Sequence, residues 1–232
     1  MHRSMVIATE PPKYREHIGA VRDLFMKTSQ LISLFIILLT LLKPTNLLAE
    51  STTATGRAIF AGGCFWCMEA DFEKLKGVSE VISGFTGGTL KNPTYKGNHE
   101  GHYEAVEVHY DPAVVSYQKL LVNFWTNIDP FDDTGQFCDK GPSYRTAIFV
   151  ADEEQKTLAE KSKQQVVKTF PDQTVVTPIL DTSIFYPIKG KESYHQDFYK
   201  NYSGRYKFYR WNCGRDQRLQ EIWGNIDKQA SK

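Results

Sequence analysis

Apolar and polar positions alternate cleanly along "EAVEVHY", so that Glu104, Val106, Val108 and Tyr110 share one face of a strand that stops at Pro112. Ala105, Glu107 and His109 take the other face. "RAIF" reads as a short strand before Gly62-Gly63. Phe65, Met68, Phe72 and Leu75 then follow the spacing of one helix face, with Glu69, Asp71 and Glu73 on other faces and Gly77 as the stop. "VSEVISGFTGG" is a strand, and "TLKNPTYKGNHEGHY" a loop. "SYQKLLVNFWTNI" is amphipathic, with Tyr117, Leu120, Leu121, Phe124, Trp125 and Ile128 on one side. After the polar loop "DPFDDTGQFCDKGPS" come the strand "YRTAIFV", a charged surface helix over Asp152–Phe170, the strand "TVVTPIL" and a helix over "KESYHQDFYKNY". The last thirty residues are aromatic, basic and irregular. This order predicts an α/β (α+β) domain whose first part follows the split βαβ, ferredoxin-like arrangement, with an irregular C-terminal tail. The two long loops mark where function sits.

The first fifty residues differ. "LISLFIILLTLL", Leu31–Leu42, is a run of 12 residues between Lys27 and Lys43. A spanning helix needs about 20 apolar residues, whereas a signal-peptide core takes about 7–15. Met26 opens a complete signal-peptide pattern that closes at small Ala49. The expectation is therefore an exported, extracytoplasmic protein, with a membrane anchor as the alternative. The implied layout is an N-terminal extension over 1–49, a flexible lead-in over 50–57, one domain over 58–224 and a tail over 225–232.

Composition changes this picture little. Of 232 residues, 41% are hydrophobic, enough for one globular core. A net charge of +1 gives no support for nucleic-acid binding. Four cysteines are too few for a disulfide scaffold.

The candidate chemistry centres on "AGGCFWCMEADF". Cys64 falls at a strand-to-helix junction, where backbone N–H groups and the positive helix end favour a thiolate. The two glycines let backbone approach a ligand. Cys67 lies one turn on, and three readings stay open: a Cys64–Cys67 dithiol redox module, half of a zinc site with His99 and His102, or a Cys64 nucleophile walled by Phe65 and Trp66. Glu104 begins a core-facing strand, and burial there raises a carboxyl's pKa into the range of a general acid. Tyr95, Asp139 and Tyr144 are polar groups on loops beside core strands. His195 is expected to be a structural or surface histidine. The sequon Asn201–Ser203 is read as chance.

Taken together, "GGCFWCME", "GFTGG", "NPTY", "GHYEAVEVHYDP", "YRTAIF" and "YHQDFY" resemble the A-type peptide methionine sulfoxide reductases over about Ala58–Gly224. The resemblance implies an α/β roll with Cys64 as the catalytic nucleophile. It implies that Phe65 and Trp66 hold the substrate methyl, that Glu104 protonates the sulfoxide oxygen, that Tyr95 and Tyr144 hydrogen-bond that oxygen, and that Asp139 helps place the substrate. It implies selectivity for the S epimer, free or peptide-bound, no metal or organic cofactor, a monomer, and thioredoxin or a similar dithiol protein as reductant. The stretch between "NPTY" and "GHYEAV" is shorter than the family usually has. Cys64 would become a sulfenic acid that a second thiol condenses to a disulfide. Cys213 ranks first as that thiol, because its segment is irregular and Arg210 and Arg215 favour its thiolate. Cys138 ranks second, and Cys67 third, because an i,i+3 pair within a helix sits too wide for a disulfide.

Overall fold

The computed structural model describes residues 55–224; the expected export segment, most of the lead-in and residues 225–232 lie outside the described residues. Strand β1 (Gly56–Gly62) leads into helix α1 (Phe65–Phe72), β2 (Val78–Thr86), β3 (Tyr103–Tyr110), α2 (Tyr117–Thr126) and, after a loop, β6 (Thr146–Val150). The loop carries a small hairpin, β4 (Gly135–Gln136) with β5 (Asp139–Lys140). Helix α3 (Glu153–Thr169), β7 (Ile179–Asp181) and β8 (Tyr186–Pro187) follow. The chain closes with a 3-10 segment (Gly190–His195), α4 (Phe198–Asn201), α5 (Ser203–Asn212) and α6 (Arg215–Trp223).

The main sheet runs β7-β6-β1-β3-β2-β8. Its four central strands, β6-β1-β3-β2, are antiparallel neighbours throughout. With α1 and α2 as the crossovers, this is the split βαβ order expected from the sequence. β7 adds to one edge in parallel and β8 to the other antiparallel. Phe60 on β1 anchors the core, its ring stacked on Phe72 at 4.9 Å and on Phe124 at 5.2 Å. No helix among the described residues is long and apolar enough to cross a membrane.

Four local expectations need correction. Helix α1 ends at Phe72, not at Gly77; Gly77, at φ +99°, instead makes the turn into β2, where a Cβ would meet Val114 at 2.8 Å. The helix faces that carry Glu69 and Asp71 are buried as well as the apolar one, because the C-terminal helices cover the side of α1 that the sheet leaves open. The strand after α3 covers only Ile179–Asp181. The C-terminal region is not an irregular tail: α5 and α6 are regular helices joined at Cys213-Gly214, and Gly214 takes φ +66° to make the bend.

Candidate active site

Cys64 is the N-cap of α1, with extended backbone (φ −54°, ψ 118°), and its carbonyl accepts from the N–H groups of Cys67 at 3.1 Å and Met68 at 3.3 Å. The preceding glycines serve packing. A Cβ on Gly62 would lie 2.3 Å from the Met68 sulfur, and one on Gly63 2.5 Å from Gln136. Both cysteines are buried free thiols. The two thiols are neighbours, and the pair divides unevenly. Burial pushes the Cys64 thiol up, and its interaction with Cys67 and the nearby Glu104 and Asp139 push it further. The interaction with Cys64 holds Cys67 down, and Arg215 and Arg210 work with it against burial. The helix N-terminus therefore does not leave Cys64 a resting thiolate: desolvation outweighs it.

Glu104 enters from β3, paired with Phe85 of β2, on the face that Val106 and Val108 bury in the main core. It is 1% exposed, and burial pushes its pKa up to about 8. Its Oε2 accepts from the Phe65 N–H at 3.3 Å. Oε1 has no hydrogen-bond partner; the Tyr144 hydroxyl lies near enough to favour the anion slightly without closing a geometric bond. Glu107, on the other face of the same strand, differs sharply: Arg57 and His109 (2.8 Å) both pair with it. One strand thus carries a compensated carboxylate and an uncompensated, proton-holding carboxyl.

The structure gathers the remaining expected residues around this pair. Tyr95 lies over Phe65, ring centroids 5.9 Å apart, and its loop is held by Glu192, which accepts from the Tyr95 and Lys96 N–H groups. The phenols of Tyr95 and Tyr144 are both pushed up, first by burial and next by Glu104, which places all three groups within one field. Asp139, also raised by burial, accepts from the Tyr209 hydroxyl. Trp66 donates its indole N–H to His195 Nδ1 at 3.0 Å and stacks on Phe198 at 3.9 Å. His195 is thus a buried, hydrogen-bonded histidine and makes no bond to either thiol. His99 and His102 are engaged by their own loop, through the Thr94 and Leu90 carbonyls at 3.1 and 2.8 Å, rather than with the cysteines.

Several residues that complete the site were not singled out from sequence. Tyr206 and Tyr209 of α5, with Phe198, pack over Cys64 and Cys67, and Arg210 reaches Asp71 of α1 at 2.8 Å. The sequence signal was their i,i+3 spacing, masked by aromatic and basic residue types. Cys213 is no free thiol on a mobile arm: it is disulfide-bonded to Cys138, Cα–Cα 4.8 Å, across 75 residues. A cavity of about 460 Å³ lined by Leu121, Trp125, Val166 and Trp223 lies between α2 and α3 and contains none of these groups.

Trp66→Ala is expected to raise KM and lower kcat, since about 150–250 Å² of aromatic surface leaves the wall beside Cys64. Steady-state kinetics alongside thermal melts make the check. A lower melting point with unchanged kinetics would reduce Trp66 to core packing.

A buried thiol pair, a proton-holding carboxyl with one oxygen free, and an aromatic wall define a thiol-dependent oxidoreductase site. Comparison with known proteins makes this specific. The family model for peptide methionine sulfoxide reductase matches residues 56–227. A peptide methionine sulfoxide reductase (MsrA 2) of Caulobacter vibrioides is 49% identical over 179 residues, 76% of this chain and 89% of the relative. The Bacillus subtilis MsrA is 47% identical, over 72% of this chain and 95% of its own length. Among solved structures, methionine sulfoxide reductase A of Corynebacterium diphtheriae matches with a TM-score of 0.60 at 28% identity, covering 65% of this chain and 76% of that one. Reduced Mxr1 of Saccharomyces cerevisiae shares the fold, with a TM-score of 0.58 at 23% identity, over 63% of this chain and 85% of its own. The chain belongs to the peptide methionine sulfoxide reductase family, and reduction of methionine sulfoxide is its activity.

Proposed function

We propose that the chain reduces methionine (S)-S-oxide, peptide-bound or free, with Cys64 as nucleophile and Glu104 as acid. The observation that carries this assignment is the placement of Glu104: it is buried, its Oε2 accepts from the N–H of Phe65, the residue after Cys64, and its Oε1 is unpartnered. A sulfoxide sulfur becomes electrophilic once its oxygen is protonated. Glu104 gives its proton to that oxygen and the Cys64 sulfur bonds to the substrate sulfur; the hydroxyl then moves from the substrate sulfur to the Cys64 sulfur as that S–S bond breaks, which releases the methionine thioether and leaves Cys64 a sulfenic acid. The thiol proton of Cys64 restores Glu104. Tyr95 and Tyr144 donate to the oxygen, Phe65 and Trp66 wall the methyl, and Asp139, held by Tyr209, places the substrate.

The sulfenic acid next meets a thiol. Cys67 packs in the same buried cluster as Cys64, and Cys64, as N-cap, is free of the helical spacing that argues against an i,i+3 disulfide. This favours Cys67 as first resolver, with loss of water, and passage of the disulfide by thiol exchange to Cys138 and Cys213. A thioredoxin-type dithiol then resets the enzyme. The run Leu31–Leu42 supports export; an exported protein starting upstream of Ala49 would refute cleavage there.

The deciding experiment is incubation with each epimer of methionine sulfoxide and dithiothreitol, followed by methionine release and, after one turnover of fully reduced protein, disulfide mapping. Methionine from the S epimer alone is expected, with Cys64–Cys67 appearing before Cys138–Cys213. Turnover of neither epimer, or of both equally, refutes the reading. A first bond from Cys64 to Cys213 makes Cys213 the resolving thiol.

A further inference from the structure

We propose that the outer face of α5, centred on Phe208 and Trp211, is the docking surface for the dithiol protein that reduces the Cys138–Cys213 disulfide. The inference rests on the sulfoxide-reductase reading for its purpose. Its geometry stands on separate observations.

The first is access. Cys64 and Cys67 are 5% and 1% exposed under α5, so a protein dithiol has no direct path to either. Cys138 is exposed and Cys213 half-buried, which makes their disulfide the place where an outside thiol arrives. The second is the exposed side of the helix that Cys213 caps. Helix α5 turns Tyr206 and Tyr209 inward over the thiols and leaves Phe208 65% and Trp211 74% exposed, ring centroids 6.0 Å apart. Cys213 caps this helix two residues after Trp211. Paired large aromatics in water are a hallmark of interaction surfaces, and tryptophan is enriched among residues that dominate binding. A cavity of about 280 Å³ opens beside Trp211, lined also by Lys207, Gln217 and the Arg210–Asp216 ion pair, and gives a partner side chain somewhere to seat.

Charge selects the occupant. Arg210 is taken up by Asp71 and Asp216, and Arg218 by Asp129 and Glu221. Arg205 and Lys207, both exposed on α5, have no ion pair among the described residues. The patch is thus apolar with a basic rim. It fits a dithiol protein whose reactive cysteine lies in an apolar surface edged by acidic residues.

The exchange balances without further reagents. The partner's thiolate attacks the exposed Cys138 sulfur, a mixed disulfide forms, and Cys213 leaves as a thiol after taking a proton. The partner's second thiol attacks the mixed disulfide, so the partner departs oxidised, and Cys138 and Cys213 are both thiols.

The test is Trp211→Ala, Phe208→Ala, their combination and Lys207→Glu in the full chain. Turnover is driven either by a bacterial thioredoxin with its reductase and NADPH or by dithiothreitol. Trp211→Ala should raise KM for thioredoxin about tenfold, and the double variant more, with kcat within about twofold. Lys207→Glu should raise it less, and salt should weaken the wild type. Dithiothreitol-driven turnover should not move. A wild-type thioredoxin KM in the double variant, or an equal loss with dithiothreitol, overturns the inference. Direct reduction of the Cys138–Cys213 bond by thioredoxin, followed through NADPH without sulfoxide, tests the surface even where sulfoxide turnover fails. It should slow in the double variant, and an unchanged rate overturns the docking surface.

Discussion

Glu104→Gln is expected to cut sulfoxide turnover by about 10²–10⁴-fold while making the protein more stable at alkaline pH. Glutamine keeps the shape and can still accept from the Phe65 N–H, but it has no proton to transfer at Oε1, the atom left without a partner. The stability effect follows from the direction of the shift. Burial raises the Glu104 pKa from 4.5 to about 8 in the folded state. Such a group contributes stability that is fully present below about pH 4.5 and is lost as pH rises through about 8, where a charge must be held in the core. Glutamine never takes that charge. Thermal melts at pH 5 should therefore nearly coincide for the two proteins, and at pH 9 the variant should melt higher. Glu69, also raised to about 8 by burial, imposes the same slope on both proteins and leaves their difference intact. Wild-type kcat is expected to fall as pH rises through about 8, and that fall should be absent from the variant's residual activity. Near wild-type turnover across neutral pH would remove Glu104 from the proton path.

That carboxyl was legible in the sequence because one strand face advertised its burial. Val106 and Val108 set the face, and the period of two carried Glu104 onto it. The same logic recovered β1, β2, β6 and α2, where aliphatic residues mark the buried side. It failed at the C-terminus for a physical reason. The buried side of α5 is Tyr206, and that of α6 is Arg215, Leu219 and Ile222. Tyrosine and arginine bury their apolar bodies while keeping polar ends bonded, so hydropathy does not register them. Missing those helices hid the cover over Cys64 and the burial of Glu69 and Asp71. The Cys138–Cys213 bond joins two segments that only the folded helices bring together. Local readings have no access to it; they named Cys213 and Cys138 as separate candidates and not as partners. The junction position of Cys64 was visible in "GGCF".

Arg215→Met carries the largest expected cost to stability among these substitutions, and it tests the link between the cover and the thiols. Arg215 is 1% exposed, and its Nη2 donates to the Asn127 carbonyl at 2.7 Å and the Gly62 carbonyl at 3.4 Å. Its guanidinium lies 4.4 Å from the Phe137 ring centroid, so one side chain ties α6 to the end of β1, to the end of α2 and to the β4–β5 hairpin. Methionine fills the space of the stem but leaves both carbonyls without this donor. Hydrogen bonds to a charged donor are worth about 1.5–3 kcal/mol each, and the longer one contributes less, so a loss of about 3 kcal/mol is expected. At this chain length that lowers the melting temperature by about 6–12 °C. The removed desolvation cost of a buried cation works in the opposite direction and keeps the loss from being larger. Chemistry should shift with it. Arg215 is among the groups that hold the Cys67 thiol down, so its removal raises the Cys67 pKa, and a pH titration of the ultraviolet thiolate absorbance should move to higher pH. An unchanged melting point would mean that water satisfies the two carbonyls, and an unmoved titration would leave Arg210 and the neighbouring Cys64 as the groups that set Cys67.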